Sequence, residues 1–301
     1  MSVADLVAAN NQFGFDLLAS LTADTPEKNV FISPASMALA LSMTANGADD
    51  PTSQAMLNLL RLAELDWTAV NQSHAALWQA LDGVDPQVTL SMANSLWAEM
   101  GFPFKAAFRD AVRSYYEAGI TNLDFGDTET AAQTINQWVE DKTQSKIKNL
   151  LSPGDLVTAV LVLVNAIYFK GEWAATFDKA QTKDGDFYLA DKTTKTMPMM
   201  SREGEYHYQE TADYQLISLP FGQGQLSFIV FLPAPDKTLV QAQPILTASN
   251  WTEAVGRLIP RSSRPEEGWQ PGLAEFGRQK GTIILPRFKV EYGKSLLEYL
   301  V

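Results

Sequence analysis

Apolar positions recur at helical spacing in the first half of the chain and at strand spacing in much of the second. Leu6, Val7, Phe13, Leu17, Leu18 and Leu21 fall mostly on one helical face, so residues 3–22 read as a helix. Val30-Phe31-Ile32 reads as a short apolar strand. Ser33-Pro34 then starts a second helix: a serine hydroxyl can cap the first amides, and proline suits the first turn, where no N–H is needed. That helix runs to about Asn46 with apolar residues on nearly every side (Met37, Ala38, Leu39, Ala40, Leu41, Met43), which predicts burial, and Gly47 ends it. Further helices are expected near 51–62, 67–82, 103–116 and 128–143. Asp127 caps the last of these, and Glu129 suits the dipole at that end. Val88–Trp97 reads as a strand.

The uncharged, β-branched stretch 158–169, TAVLVLVNAIYF, predicts a strand buried on both faces inside a sheet. From 187 to 233 short strands and turns follow, with a hairpin of Leu216–Pro220 and Leu226–Leu232 around Phe221-Gly222-Gln223-Gly224. Residues 238–258 hold one or two weak helices. The polar, Pro- and Gly-rich stretch 261–281 reads as an exposed insertion. Residues 282–292 read as a strand, and Lys294 begins a short helix. Helices come mainly first and strands mainly later, with no repeat and no linker. The expectation is one α+β domain over residues 1–301.

Composition narrows the function. The chain is 46% hydrophobic and 19% charged, with a net charge of −12. Such a surface repels phosphate backbones and anionic lipid, so neither nucleic acid nor a membrane surface is expected as a partner. The longest apolar run, Val157–Phe169, contains Asn165 and falls short of the ~20 residues that span a bilayer. There is no cysteine, hence no disulfide, zinc thiolate or cysteine nucleophile. No H-E-x-x-H, G-x-S-x-G or P-loop motif occurs, so an enzyme is not expected, and no metal or cofactor. Gly222-Gln223-Gly224 reads as a turn rather than a phosphate cradle. Asp124, Asp127 and Glu129 lack calcium-loop spacing. Met197, Met199 and Met200 read as packing. Lys105, Arg109 and Arg113 form a basic stripe at helical spacing, which reads as a solvated face more readily than as a sulfated-sugar site. Asn71 and Asn250 lie in N-x-S/T sequences.

Four stretches carry a resemblance. They are Asn29-Val30-Phe31-Ile32-Ser33-Pro34-Ala35-Ser36, Ala93-Asn94-Ser95-Leu96-Trp97, Ile135-Asn136-Gln137-Trp138-Val139, and Leu163-Val164-Asn165-Ala166-Ile167-Tyr168-Phe169-Lys170-Gly171-Glu172-Trp173. The hairpin Leu219-Pro220-Phe221 to Phe231-Leu232-Pro233 and the strand Leu285-Pro286-Arg287-Phe288-Lys289 continue it in order. Together they resemble the serpin family of serine protease inhibitors. The resemblance implies a fold of three sheets and eight or nine helices. In that fold a large sheet opens to accept the chain's own exposed loop after a protease has cleaved it. Native family members are metastable, and completing the sheet supplies the energy.

By the same resemblance Ser33, Ser36 and Asn165 match the shutter under the place where the sheet parts. Trp173 matches the breach at its top. From residues alone, Ser33 is a helix cap, Asn165 a satisfied core amide and Trp173 core packing. The implied partners are serine proteases, with cysteine proteases as a second class. The resemblance also implies a fifth strand of the large sheet, a reactive loop and closing strands, none of which is expected within these residues. No scissile-bond residue is therefore assigned, and a strand added from outside the chain is expected to be accepted. These residues alone are expected not to be stably native. Neither His74 nor His207 lies where the family's shutter histidine would fall. A non-inhibitory binding protein and an inactive fragment are the alternatives. The resemblance suggests an extracellular protein, whereas MSVADLVAANN lacks a basic leader, which leaves the cytoplasm open.

Overall fold

The computed structural model describes residues 1–63, 65–189, 191, 193–259 and 278–293. The chain divides into two compact units. The first holds Met1–Gly14, Ser33–Val84 and Thr89–Lys170, and the second holds Phe15–Ile32, Asp85–Val88 and the residues from Gly171 onward.

Helix α1 (Val3–Asp24) contributes its first residues to the first unit. There follow α2 (Pro34–Ala45), α3 (Asp50–Leu59), α4 (Trp67–Leu81), β1 (Val88–Glu99), α5 (Ala106–Tyr116), β2 (Gly119–Leu123), α6 (Thr128–Lys142) and β3 (Leu161–Gly171). Side-chain caps fix the helix starts. Ser33 accepts from the Ser36 amide, Asp49 from Thr52, Asp66 from Ala69 and Asp127 from Thr130. No residue of α2 is exposed, as its sequence predicts, and Ala38, Leu39, Ser42, Met43 and Ala45 are buried. Residues Val30–Ile32 are not a strand, contrary to expectation, and Phe31 is exposed. A three-residue apolar run needs a neighbouring edge to become a strand, and no described residue supplies one.

The sheet of this unit has the order β2-β1-β3, with β1 and β2 parallel from Ser95↔Gly119 to Glu99↔Leu123. Two apolar clusters pack against it. Leu39, Met43, Leu96, Phe108 and Val112 form one, and Trp97, Phe125, Ile135, Val139, Leu156 and Val164 the other. The sequence predicts burial of both faces over 158–169. The strand is there, but at the sheet's edge. Val164 and Ala166 are buried, while Phe169 is 44% exposed and Val160 58%. Among the described residues no strand lies on the second edge of β3. Among the described residues, β3 thus has a strand partner on one side and none on the other.

The second unit is built on β4 (Lys183–Tyr188), β5 (Thr194–Glu210), β6 (Tyr214–Phe221) and β7 (Leu226–Pro233). The short α7 (Leu239–Ala242), α8 (Ala248–Leu258) and β8 (Arg278–Pro286) complete it. All these strand pairs are antiparallel. Among the described residues there are two sheets rather than the three the resemblance implies. The cause is β5, which at 17 residues serves two sets of partners. Its first part pairs with β4 and β8, and His207–Glu210 pairs with β6. Residues 278–281, read from sequence as the end of an insertion, belong to β8; 261–277 lie outside the described residues. The strand expected at 282–292 therefore starts earlier and ends at Pro286, whose missing N–H closes the ladder. The helix expected from Lys294 also lies outside the described residues. The β6–β7 turn follows its glycines: Gly222 has φ +48 and Gly224 φ +94.

Candidate functional site

Asn165 interrupts the apolar run of β3, and a polar amide among half-buried strands must find partners. It finds two. The Ser36 hydroxyl on α2 donates to its Oδ1, and its Nδ2 donates to Asn94 Oδ1 on β1 at 2.6 Å. Asn94 is 6% exposed and donates in turn to the Tyr116 carbonyl at the end of α5, at 2.7 Å. One asparagine thus ties the edge strand both to the helix beneath it and to its neighbour in the sheet. Ser33 does not join this link directly. Its hydroxyl accepts from the Ser36 amide at 3.4 Å and fixes the helix turn that presents Ser36.

Trp173 belongs to the second unit. Its ring stacks on Phe221 (4.6 Å between centroids, 17°) and meets Phe177 and Phe228 edge-on. Backbone bonds from Ala174 to Pro220 and from Gly222 to Glu172 pin it beside the β6–β7 turn. Nearby, the Arg202 guanidinium lies over the rings of Phe177 and Tyr206 and donates to the Ala175 carbonyl.

The polar link continues beyond the residues expected from sequence. The Tyr116 hydroxyl donates to Asn71 Oδ1 on α4 at 2.5 Å. Asn71 and Asn46 exchange amide hydrogen bonds at 2.7 and 3.0 Å. Asn46 also donates to the Ser42 carbonyl, and the Ser42 hydroxyl lies 3.1 Å from His74 Nε2. His74 is fully buried, and burial lowers its pKa from 6.5 to about 4. Burial likewise pushes the Tyr116 phenol up. Sequence reading missed these members because 25 or more residues separate the paired side chains. The one signal was polar residues at otherwise apolar helix positions.

Other candidates are settled by their surroundings. Asn71 is buried and bonded, so its N-x-S sequence offers no accessible acceptor, whereas Asn250 is exposed at the start of α8. At Gly222-Gln223-Gly224 the Gln223 amide is taken by the buried Asp85 carboxylate at 2.6 Å, and a carboxylate there repels phosphate. Asp124 and Asp127 accept from Gly126 and Thr130, as turn and cap residues do. Lys105, at the N-cap of α5, and Arg109 and Arg113 within it are exposed. Among the described residues no three His, Cys, Asp or Glu side chains gather to hold a metal ion, and no helix is long and apolar enough to cross a membrane.

Comparison with known proteins gives the family. A family model for serpins (serine protease inhibitors) matches residues 8–301. An uncharacterized serpin-like protein of Methanosarcina acetivorans is 33% identical over 83% of this chain, and the match spans 59% of that protein's length. Antichymotrypsin-2 of Bombyx mori is 33% identical over 97% of this chain and 73% of its own. The solved structure of cleaved kallistatin complexed with heparin superposes with a TM-score of 0.87 at 26% identity, covering 99% of this chain and 84% of that one. Motif order, α+β architecture and whole-chain similarity agree: the chain belongs to the serpin family.

Proposed function

We propose that this chain is the body of a protease inhibitor, with β3 forming the edge at which a further strand enters the sheet. The partner is an endopeptidase of the serine class, with the cysteine class second. The observation that carries the reading is the edge position of β3, which has no second strand partner among the described residues and is tethered by Asn165 to Ser36 on α2 and to Asn94 on β1. Side-chain hydrogen bonds suit such a gate. They hold strands in register while the edge is bare and can re-form around an added strand, where greasy packing would have to be rebuilt. In this reading Ser33, Ser36 and Asn165 act as the shutter, and Trp173 acts as the breach residue.

The test adds a synthetic peptide of alternating threonine and alanine, of the same length as β3, 11 residues. Alternation matters because an inserted strand turns every second side chain inward. Uptake is expected to raise the thermal midpoint and the strand signal in circular dichroism, and a scrambled peptide with charges at alternate positions to do neither. If the alternating peptide leaves both signals unchanged, the inhibitor reading gives way to a binding protein that does not trap proteases.

A further inference from the structure

The serine–asparagine link at β3 does not stop at the sheet. From Asn94 it passes through Tyr116, whose carbonyl takes the Asn94 amide and whose hydroxyl reaches Asn71. It crosses the paired amides of Asn71 and Asn46 to α2, and ends at Ser42 and His74. Five polar side chains are thus sunk among α2, α4 and α5. Carbon side chains of similar volume would pack those helices at least as firmly, since paired polar groups recover little more than their desolvation. What pairing adds is a fixed relative position for each partner.

We propose that Tyr116, Asn71, Asn46, Ser42 and His74 are positioning residues that couple β3 to a buried imidazole, so that proton uptake at His74 loosens the edge strand. His74 is 1% exposed, and its Nδ1 has no hydrogen-bond partner. The groups facing it are the Ser42 hydroxyl on α2 and the Tyr116 ring on α5, 6.0 Å away between centroids. Neither is a counter-ion. Desolvation is the sole cause of its lowered pKa, with no charged neighbour contributing. An imidazolium would need to donate from both nitrogens, and the site offers one acceptor. Relief requires His74 to reach water. That means parting α4 from α2 and α5, which pulls on Asn71, Tyr116 and then Asn94 and Asn165.

The inference rests on the reading of β3 as a receptive edge, yet it is judged separately. Peptide uptake tests that reading, and a proton response tests the coupling. The experiment is amide hydrogen exchange of the full chain at about pH 8 and about pH 5.5, read by mass spectrometry and corrected for the intrinsic pH dependence of exchange. With an imidazole pKa of 6.5 when exposed and about 4 when buried, openings that expose His74 become about tenfold more frequent at the lower pH. The expected result is that amides of β3 and α4 both show this rise. In His74→Phe neither responds. In Tyr116→Phe, which keeps the ring and removes the hydroxyl bond to Asn71, α4 still responds and β3 does not. A β3 that ignores pH in the unmodified chain overturns the inference. So does a β3 response that survives Tyr116→Phe, because the opening is then global rather than carried through the phenol.

Discussion

At the residue scale, a polar side chain in an apolar run declares itself. Asn165 stands out in the sequence because it is the one side-chain amide between Val157 and Phe169. Replacing it with leucine keeps the branched shape and strips an acceptor from Ser36 and a donor from the buried Asn94. The expected cost is about 2 kcal/mol, the desolvation of groups left without partners, measured as a lowered midpoint in urea with unchanged slope. Gly222 gives a second case. Its φ is +48, and a Cβ there would stand 2.4 Å from Asp85 Oδ1. Asp85 is buried and holds the Gln87 and Gln223 amides, so it has no room to yield. Gly222→Ala is expected to destabilise by more than ~1 kcal/mol in the same assay, whereas Gly224→Ala meets no atom within 4 Å and carries only its backbone strain. Tyr116, Asn71 and His74 were not legible as a site. Each is unremarkable in its own helix, and only the packing of α2, α4 and α5 makes them neighbours.

At the scale of elements, periodicity located α1 to α6 to within a few residues, because a buried face repeats at 3.6 whatever lies opposite it. It failed where pairing decides. The five-residue β2 (GITNL) is too short and too mixed to show a period, and becomes a strand only because β1 offers an edge. Arg278–Gly281 read as loop because an exposed strand bordering β5 carries polar residues on both faces. The reverse error is Val30–Ile32, apolar but unpaired. β3 combines both lessons: its composition states that it wants cover, and its edge position leaves it partly bare. An edge of this kind invites strands from other copies of the chain. Phe169, exposed near its end, is the site for a charge of the sort that blunts such edges. Phe169→Lys is expected to shift light-scattering mass toward monomer at concentrations where the unmodified chain associates. Equal association in both chains would place the contact elsewhere.

For the molecule as a whole, pH brings charge and stability together. The net charge is −12 near neutrality, with a pI of about 4.6, so acidification removes the repulsion that keeps copies apart. Two kinds of group weaken the fold in the same direction. His74 prefers its neutral form when buried, so its contribution is complete above the unfolded value of 6.5 and disappears as the pH falls toward about 4. Helix-capping carboxylates such as Asp66 and Asp127 are lowered by hydrogen bonds to Ala69 and Thr130. Their contribution is present above the ordinary 3.8 and is lost only at lower pH. The acid limb therefore has two parts, and the first belongs to the histidines: His74, and with it His207, which burial also lowers. Over the full shift from 6.5 to about 4 His74 accounts for about 3 kcal/mol, of which about 1.4 kcal/mol is gone by about pH 5.5. Urea unfolding at about pH 8 and about pH 5.5, both above the pI, reads that difference before association intervenes. His74→Phe is expected to shrink that difference by about 1.4 kcal/mol, leaving the part that His207 adds and the fall below pH ~4 in place. An acid limb of the same size in the variant would assign the loss to His207 and the carboxylates and remove His74 from the account.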